Sequence, residues 1–340
     1  MVKRATVADV AREAGVSVAT VDRALTGRSA VRPDTAQRIA AAAEALNFHA
    51  APLLAGRIEP KLARCRVGLL LQRAEIPFYR SLGEALGEAV AATERFAGTV
   101  SLAHWAEQDP EAIAAAIRRL AARCDVLAVV SPDHPTVEAA VREVVDAGKP
   151  VFSLLSDFAV SARTGYIGVD SRKAGRTAAW MIARAAPRPG KVAVFIGSHG
   201  FQGHELREVG FRSYLREHAP QFTVIETPAN MESNERARAI ALGILAAHPD
   251  LVGCYVAGGG MEGIIAALRE ARLDPRPLAI CSSLTAESRA ALLDGTVTML
   301  VAEPIDRICD DLVSRVAAAL FNKQTDRGPL PLDLVGPENL

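Results

Sequence analysis

Several features are scarce or missing in this 340-residue sequence, and each absence argues against a class of protein. The longest apolar runs are broken by charges or prolines well before the length that a bilayer-spanning helix needs. The opening stretch MVKRATVADV has no apolar region of the kind found in secretory signals. These two absences lead us to expect a cytoplasmic protein with no membrane partner.

Cysteine is also sparse, and its spacing argues against both disulfides and zinc. The five cysteines are an odd number, lie far apart and include no C-x-x-C pair. The stretch IGSHG, residues 196–200, is not a G-x-S-x-G nucleophile elbow, and no set of nucleophile, base and acid stands out. We therefore expect reduced thiols, no catalytic residues, no metal and no cofactor. The cysteines are Cys65, Cys124, Cys254, Cys281 and Cys309.

The net charge of the whole chain is zero, but the two signs are unevenly distributed. Residues 1–66 contain 11 Lys or Arg and 6 Asp or Glu, which gives a net charge of +5 and leaves −5 for the remainder. A small basic segment attached to an acidic body is typical of a nucleic-acid-binding module joined to a domain that need not touch nucleic acid.

The basic segment has the pattern of three short helices. Thr6 followed three residues later by Asp9 is a helix-start signal, and apolar residues then recur at helical spacing as far as Gly15. Ser17 is placed to cap a second helix, and Pro33 to begin a third. Two short helices joined by a glycine-centred turn predict a helix-turn-helix.

Four positions remain exposed on the second predicted helix: Val18, Ala19, Asp22 and Arg23. In a helix-turn-helix, the N-terminal part of this helix meets base edges in the major groove of DNA. Arg23 can pair with guanine, and Val18 or Ala19 can touch a thymine methyl group. Asp22 is an acid on a surface that would face a polyanion. Three roles stay open for Asp22. It can accept a hydrogen bond from a cytosine amine, form a salt bridge with a Lys or Arg elsewhere in the segment, or face solvent.

The stretch TVADVAREAGVSVATVDRALTGRSAVRPDTAQRIAAAAEALNF, residues 6–48, resembles the DNA-binding headpiece of the lactose and galactose repressor family of bacterial regulators. The resemblance runs through all three helices. It implies that Val18, Ala19 and Arg23 read bases, and that four further residues contact phosphates. Those four are Thr6, Ser17, Thr20 and Arg32. Where this chain has Asp22, the family more often has a serine that meets the backbone.

The next stretch, HAAPLLAGRIEPKLARCR at residues 49–66, is the expected hinge or linker. The resemblance implies a hinge helix that folds on operator DNA and inserts a leucine into the minor groove. Leu53 and Leu54 are the apolar wedges on offer, whereas Arg57 lies near the usual leucine position. A plain linker ended by Pro60 is the alternative, and the sequence leaves both open.

From residue 67 onward, apolar runs alternate with amphipathic helical segments in two successive rounds. The first round begins at VGLLL, and the second at KVAVFIG near residue 191. This alternation predicts βαβ units, that is, parallel sheets with helices on both faces. We expect two similar lobes, with the chain crossing between them near 155–170 and again near 280–305.

The order of these segments resembles the type I periplasmic-binding-protein fold that the same family uses as its effector and dimerisation domain. The expected architecture is thus a small all-α headpiece joined to a two-lobed α/β body. The expected domains are a headpiece over 1–48, a hinge or linker over 49–66 and an effector-binding body over 67–340.

Ligands of open α/β sheets bind beyond the carboxyl ends of the strands, which in a two-lobed body face a shared cleft. Polar and aromatic residues follow these strand ends and suit a polyhydroxylated ligand. By resemblance, Arg207 lies where the family places an effector-binding arginine, and Tyr79 where sugar binders stack an aromatic ring. The candidate residues are Glu75, Phe78, Tyr79, Ser131, Asp133, Ser156, Asp157, His204, Glu205, Arg207, Ser283 and Glu303.

The sequence also departs from the pattern of sugar binders in this cleft. Such binders often carry an Asn or Asp after the strand that here ends in VAGGGMEG, and an aspartate at the next strand end, where this chain has Ser283. We therefore expect that some recognition by acids has moved to Asp157 and Glu303.

Two other functions are weighed against this interpretation. Gly258, Gly260 and Gly263 form G-x-G-x-x-G after a predicted strand, which is the fingerprint of an NAD-dependent oxidoreductase. The fingerprint lies late in its domain, however, and no acid ends the next strand, LAICSS. A transport-type solute-binding protein is the third reading, and the headpiece and the missing secretory signal argue against it.

The favoured interpretation is a ligand-responsive transcription regulator that is not an enzyme. Its partners would be a palindromic operator DNA and a small sugar, polyol or sugar derivative. It would bind the operator as a homodimer or higher oligomer, because two headpieces must meet two half-sites. The family's commoner mode implies repression.

Overall fold

The computed structural model describes residues 5–27, 31–58, 62–321, 323 and 327–340. The chain divides into two compact units that meet in sequence between Ala63 and Arg64. Each unit contains its own hydrophobic core.

The described residues of the first unit form four helices joined by short turns, and the first three helices begin where the sequence predicts. Thr6 and Asp9 form a reciprocal capping box at the first helix, and the Ser17 side chain accepts from the backbone N–H of Thr20 at 3.2 Å. Gly15 adopts a left-handed φ of +65° in the turn between the first two helices, a conformation that glycine adopts readily. The helices are α1 (Val7–Glu13), α2 (Val18–Thr26), α3 (Pro33–Ala45) and α4 (Ala51–Ile58).

The helix α4 lies in the segment for which the sequence left both a hinge helix and a plain linker open. Residues from Ala51 to Ile58 are helical, so this part of the connection is not an irregular linker. Leu54 is fully buried and belongs to the core of the first unit together with Val10, Val21 and Ile39.

The second unit contains two sheets, one in each lobe. Among the described residues, the first sheet has the strand order β2-β1-β3-β4-β5 and the second β11-β10-β9-β8-β6-β7. All neighbours run parallel except β11, which pairs antiparallel with β10. The strands of the first sheet are β1 (Arg64–Gln72), β2 (Ala97–Trp105), β3 (Val126–Val129), β4 (Val151–Leu154) and β5 (Gly165–Ile167). Those of the second are β6 (Lys191–Phe195), β7 (Thr223–Ile225), β8 (Leu251–Val256), β9 (Leu278–Cys281), β10 (Met299–Ala302) and β11 (Asp333–Val335).

Helices pack on these sheets as expected for a parallel α/β fold. The strands β3, β4 and β8 are buried at every residue, which is typical of strands covered on both faces. In the second lobe, one core cluster contains side chains of α10, α11 and α12, and a separate cluster contains those of α8 and α9. The helices of the second unit are α5 (Pro77–Ala92), α6 (Pro110–Ala121), α7 (Pro135–Asp146), α8 (Ser171–Ala185), α9 (Gln202–His218), α10 (Asn234–Ala247), α11 (Met261–Ala271), α12 (Ala286–Leu293) and α13 (Ile305–Leu320).

The C-terminal elements add a passage between the lobes that the sequence pattern did not indicate. After β10 the chain forms α13, whose Ile308, Leu312 and Val316 belong to the core of the first lobe. The chain then returns to the second sheet as β11, which pairs with β10. The alternation rule missed this arrangement because β11 is a short antiparallel edge strand.

The thiols and helix lengths agree with the composition. All five cysteines lie in the described part of the chain as free, buried residues. Among the described helices, none has both the length and the apolar character needed to cross a membrane.

Candidate functional site

The exposed side of α2 carries the residues expected to read bases. Val18 is 51% exposed, Ala19 and Arg23 are also exposed, and Val21 on the opposite side is fully buried. The Arg23 guanidinium lies along its own helix, where Nε donates to the carbonyl of Ala19 and Nη2 to the Thr20 hydroxyl, both at 3.2 Å. Burial of one helix face thus fixes which side chains the other presents.

Asp22 lies on the same exposed surface, and the structure narrows the roles open to it. Its backbone carbonyl accepts from the Thr26 hydroxyl at 2.8 Å. Its carboxylate forms no hydrogen bond or ion pair with any described residue. An ion pair with a Lys or Arg in the described part of this unit is therefore excluded. Two roles remain for the Asp22 carboxylate: contact with solvent or acceptance from a DNA amine.

The residues expected to contact phosphates lie at helix starts. The Thr6 hydroxyl donates to Asp9 at 2.7 Å, and the Ser17 and Thr20 hydroxyls lie 2.8 Å apart. Arg32 is exposed at the N-terminal end of α3. The N-termini of helices present free N–H groups, which is a favourable setting for phosphate.

The two candidate leucine wedges differ in accessibility. Leu53 is 54% exposed, whereas Leu54 is fully buried in the core of its unit. Insertion of Leu54 into a groove would remove it from that core. Leu53 is therefore the candidate that the structure leaves available, and the side chain of Arg57 lies outside the described residues.

In the second unit, a cavity of about 100 Å³ lies where strands of both lobes end. One water molecule needs roughly 10–15 Å³ of such volume, so the cavity has room for several waters or a small ligand. Seven of the twelve candidate ligand residues line it, and their binding to an effector stays a prediction. These are Phe78, Tyr79, Ser156, His204, Arg207, Ser283 and Glu303.

Five candidates do not line the cavity: Glu75, Ser131, Asp133, Asp157 and Glu205. Asp157 pairs with an arginine of its own lobe, at 2.6 Å from Arg163 Nη2 to its Oδ2. The Ser131 hydroxyl donates to its neighbour's carbonyl, and Asp133 accepts from the backbone of Ala159. Glu75 and Glu205 are exposed. The Asp157 carboxylate is engaged within its own lobe and lies outside the cavity lining, and its contribution to recognition stays a prediction.

Arg207 and Glu303 form a buried ion pair at the cavity. Arg207 Nη2 donates to Glu303 Oε1, and Nη1 donates to the carbonyl of Ala257 at 3.0 Å. Burial raises the pKa of Glu303, against the opposing effect of the Arg207 charge. Arg207 Nε and Glu303 Oε2 have no hydrogen-bond partner among the described residues. The pair thus keeps one donor and one acceptor unused.

Glu232 is a buried acid of the cavity that the sequence analysis missed. It lies in a turn where Met231 and Glu232 both adopt left-handed φ, at +55° and +60°. This conformation costs a non-glycine residue roughly 1–2 kcal/mol. Hydrogen bonds hold it: Met231 N–H donates to the Gly197 carbonyl at 2.7 Å, and Glu232 N–H donates to Asn230 Oδ1 at 2.9 Å.

Glycines on either side make room for this acid. A Cβ atom at Gly197 would lie 1.5 Å from Glu232 Oε1, and one at Gly259 would lie 1.8 Å from Oε2. A Cβ atom at Gly258 would lie 2.7 Å from the His204 ring. Cβ atoms at the other two fingerprint glycines, Gly260 and Gly263, would lie 2.6 Å from Ala237 Cβ and 1.9 Å from the carbonyl oxygen of Asn234. The glycines that match the dinucleotide fingerprint are therefore explained by close packing within the fold.

His204 and Glu232 are neighbours, with 3.6 Å between His204 Nδ1 and Glu232 Oε1. Burial, with a further contribution from the Arg207 charge, lowers the pKa of His204 to about 3, so the imidazole is neutral near pH 7. Burial raises the pKa of Glu232 to about 7, although the Arg73 charge opposes this shift. The Oε1 atom of Glu232 has no hydrogen-bond partner among the described residues.

Hydrogen bonds connect the two lobes around the cavity. Arg73, which follows β1, donates through Nη2 to the carbonyl of Glu232 at 3.0 Å. The Ser156 hydroxyl accepts from the backbone N–H of Gly203 at 2.9 Å. These bonds join the ends of first-lobe strands to the second lobe, so a change in lobe angle would have to break them.

Aromatic rings form the apolar part of the lining. Phe78 and Tyr79 lie in the first turn of α5, and Phe201 immediately precedes α9. Trp105 lies behind this wall, with its ring stacked on Phe201 at 6.2 Å between centroids. Its indole N–H donates to the carbonyl of Val130, which also lines the cavity.

The sequence analysis did not identify the remaining lining residues, most of which lie in loops some distance after a strand or at the start of a helix. Glu232 lies seven residues beyond the end of β7, too far for the strand-end rule, although an acid just before the predicted start of α10 was a usable signal. The missed residues are Ile76, Val130, Leu155, Phe201, Gly203, Glu232, Asn234, Met261, Glu262, Ser282 and Thr285, together with Gly258, Gly259 and Gly260. A search of the described residues finds no group of His, Cys, Asp or Glu that could hold a metal ion.

Two family profiles match this chain. Residues 67–324 match the periplasmic binding protein domain, and residues 6–51 match the lacI family of bacterial regulatory proteins. The maltose regulon regulatory protein MalI of Escherichia coli strain K12 is 36% identical over 97 residues. That alignment spans 27% of this chain and 27% of MalI.

Solved structures of solute-binding proteins share the fold of the second unit. An ABC transporter solute-binding protein of Burkholderia graminis in complex with D-arabinose has a TM-score of 0.75 at 20% identity, covering 82% of this chain and 98% of that one. The glucose-galactose binding protein GanP of Geobacillus stearothermophilus has a TM-score of 0.71 at 18% identity, covering 81% and 99%.

Proposed function

Because this chain belongs to the periplasmic binding protein domain family and begins with a helix-turn-helix domain of the lacI family of bacterial regulatory proteins, we propose that it is a ligand-responsive transcription regulator. Its first unit binds operator DNA, and its second binds a small polar effector. The protein acts in the cytoplasm, where its DNA target lies.

One observation carries this proposal: a base-reading helix and a ligand cavity occur in the same chain. The exposed face of α2 offers Arg23 for guanine and Val18 for a thymine methyl group. The cavity offers a buried ion pair, a second buried acid and aromatic walls. A transport-type binding protein has no use for the first feature, which is why the regulator is favoured.

The effector is a sugar, a polyol or a derivative of one. Hydroxyl groups both donate and accept hydrogen bonds, and the cavity presents acids and an arginine that can engage them. Aromatic rings such as Tyr79 suit the apolar face of a sugar ring. The related fold in complex with D-arabinose supports this class by analogy.

DNA binding requires two headpieces, because helix-turn-helix regulators read two half-sites related by a two-fold axis. The protein therefore acts as a homodimer, or a higher oligomer, on a palindromic operator. Effector binding between the lobes changes their angle and hence the placement of the headpieces. Allosteric coupling of roughly 1–3 kcal/mol would change operator affinity about 5- to 150-fold, and repression is the mode we favour.

An NAD-dependent enzyme is the less favoured function. Close packing accounts for the glycines of the apparent fingerprint. A Cβ atom at Gly258 would meet the His204 ring, and Cβ atoms at Gly260 and Gly263 would meet atoms of Ala237 and Asn234. No acid ends the strand β9, where a dinucleotide ribose would need one. We propose a regulator without catalytic activity.

Genomic selection for operator sequences, followed by affinity measurement, tests the DNA-binding half. The full chain should select a palindromic site, and removal of residues 1–63 should abolish binding. Arg23→Ala should relax base preference at one position of each half-site, at a cost of about 1–3 kcal/mol. DNA affinity that survives the truncation would contradict the assignment of the first unit.

A screen of sugars and polyols by thermal shift tests the effector half. A stabilising compound should lose its effect in Arg207→Ala, because that variant removes the buried guanidinium and leaves Glu303 unpaired. If NAD were the only stabilising compound, the enzyme would replace the regulator as the favoured function.

A further inference from the structure

The charges around the cavity are unbalanced toward acids. Three carboxylates line it, those of Glu232, Glu262 and Glu303, and Arg207 is the one guanidinium or ammonium group among the described lining residues. Arg207 is already paired with Glu303. His204 adds no charge near pH 7, because burial lowers its pKa to about 3. Among the described lining residues, an entering anion would therefore meet no guanidinium or ammonium group outside this ion pair.

The unused hydrogen-bonding atoms point to the same class of ligand. Glu232 Oε1 and Glu303 Oε2 are buried acceptors without partners in the described part of the chain, and Arg207 Nε is a buried donor without one. A carboxylate or phosphate can only accept, and an ammonium can only donate. Hydroxyl groups do both, so a ligand bearing several hydroxyls can satisfy acceptors and donor together.

Helix N-termini around the cavity have the opposite electrostatic effect, because they attract negative charge. The starts of α5, α9, α10, α11 and α12 contribute lining residues, and helix N-termini favour anions. Side chains already occupy two of these ends, since Ser233 caps α10 and Thr285 caps α12. Glu262 in the first turn of α11 supplies a negative charge at a third. The remaining N–H groups can donate to ligand hydroxyl oxygens without requiring a charge.

The fold holds the Glu232 carboxylate in a fixed position in the cavity. Its backbone is held in a left-handed turn by hydrogen bonds to Gly197 and Asn230, and its carboxylate occupies space that glycines leave open on two sides. Above its pKa of about 7, the Glu232 carboxylate held in this way repels a second negative charge, because the dielectric of the desolvated cavity is low.

We propose that this cavity selects an uncharged, hydroxyl-rich ligand and rejects its carboxylated and phosphorylated analogues, with Glu232 as the residue that sets this selectivity. The inference rests on the proposed function of the cavity as the effector site. It narrows the effector to neutral sugars and polyols and excludes sugar acids and sugar phosphates.

Matched ligands that differ in charge test the inference on the full-length protein. The probes are aldohexoses and aldopentoses, the corresponding alditols, and the uronates, uronamides and 6-phosphates of glucose and galactose. Binding is followed by the fluorescence of the two tryptophans, Trp105 and Trp180. The tightest probe should be neutral, and each uronate should bind at least about tenfold more weakly than its uronamide, which has nearly the same shape.

Substitution of the acid should then reduce this discrimination. Glu232→Gln keeps the size of the side chain and removes its charge, so the affinity ratio of uronamide to uronate should fall severalfold. Glu226→Gln is the matched control, because Glu226 follows the same strand with its side chain 86% exposed and lies outside the cavity lining. The control should keep the parental ratio.

Several results would overturn the inference. They are a uronate or phosphate ester as the tightest probe, an unchanged ratio in a folded Glu232→Gln protein, or no binding by any probe. If Glu232→Gln does not fold, the uronamide and uronate pair on the parent protein decides alone. A protein that fails to bind an operator but still prefers neutral ligands would contradict the proposed regulator function and leave this inference standing. A protein that binds its operator but does not prefer neutral ligands would contradict this inference only.

Discussion

At the scale of single residues, two acids occupy positions where the surrounding chemistry makes them costly. Asp22 faces the space where DNA phosphates would lie, and its carboxylate has no partner among the described residues. Glu232 is 7% exposed inside a cavity, with burial raising its pKa to about 7. We propose that both acids lower affinity or stability and raise selectivity, Asp22 for DNA sequence and Glu232 for ligand charge.

Replacing Asp22 by serine should tighten binding to DNA of random sequence. The substitution removes repulsion between a carboxylate and nearby phosphates, which we expect to raise affinity about 2- to 5-fold at low salt. Fluorescence anisotropy across a salt titration measures the effect. Glu44→Gln removes an equal charge from the exposed face of α3 and should change affinity less. Equal affinity of Asp22→Ser and the parent protein at low salt would refute the prediction.

The buried acid should make stability depend on pH. The folded state binds the Glu232 proton more tightly than the unfolded state, whose pKa is near 4.5. The free energy of unfolding should therefore fall as pH rises from about 4.5 to 7, with a loss of at most about 3 kcal/mol from this group. Urea titrations at several pH values measure it, and Glu232→Gln should flatten the slope. The same slope in both proteins would show that Glu232 does not titrate in this range.

At the scale of elements, the placement of Arg207 depends on close contact between α8 and α9. A Cβ atom at Gly175 of α8 would lie 1.8 Å from the carbonyl oxygen of Arg207. One at Gly210 of α9 would lie 2.1 Å from the carbonyl oxygen of Arg172. Two glycines thus let the helix backbones approach each other, and this approach brings Arg207 within reach of Glu303.

A methyl group added at one of these close contacts should lower the free energy of unfolding, whereas a methyl group added at an open helical position should not. Gly175→Ala should lower the free energy of unfolding by about 1–3 kcal/mol, because the helices have to move apart. Gly243→Ala in α10 meets no atom within 4 Å and should raise stability by about 0.5–1 kcal/mol through helix propensity. Urea unfolding followed by tryptophan fluorescence compares the two variants. A Gly175→Ala protein as stable as the parent would show that the contact is not tight.

At the scale of the whole molecule, each of the two units has its own hydrophobic clusters, one in the first unit and three in the second among the described residues. The core of the first unit draws on α1 to α4, and those of the second unit lie around its two sheets. The antiparallel edge strand β11 and the helix α13 carry the C-terminal part of the chain back and forth between the lobes.

A protein that lacks residues 1–63 should therefore keep the folded second unit. Both tryptophans belong to that unit, so their fluorescence reports its unfolding alone. We expect the melting temperature measured by tryptophan fluorescence to change by less than about 4 °C, since a 1 kcal/mol change shifts a domain of this size by roughly that much or less. A large loss of tryptophan-monitored stability would show that the first unit supports the second.

The sequence by itself determined the classes of structure in this protein. Caps at Thr6 and Ser17, the glycine turn and the alternation of apolar runs with amphipathic helices are local patterns, and local patterns fix helix starts, strand burial and a parallel α/β body. The strand-end rule also reached Glu303, because the end of a parallel strand is itself a local feature, whereas Arg207 was identified by the family resemblance.

Only the tertiary structure decided which of those residues meet. It paired Asp157 with Arg163 and buried Leu54 in a core, although both looked available in the sequence. It brought Glu232 into the cavity from a turn seven residues beyond its strand, and it showed that the glycine run accommodates that carboxylate. Burial, pairing and desolvation depend on neighbours distant in sequence, and these three quantities set the charge and hydrogen-bonding character of the cavity.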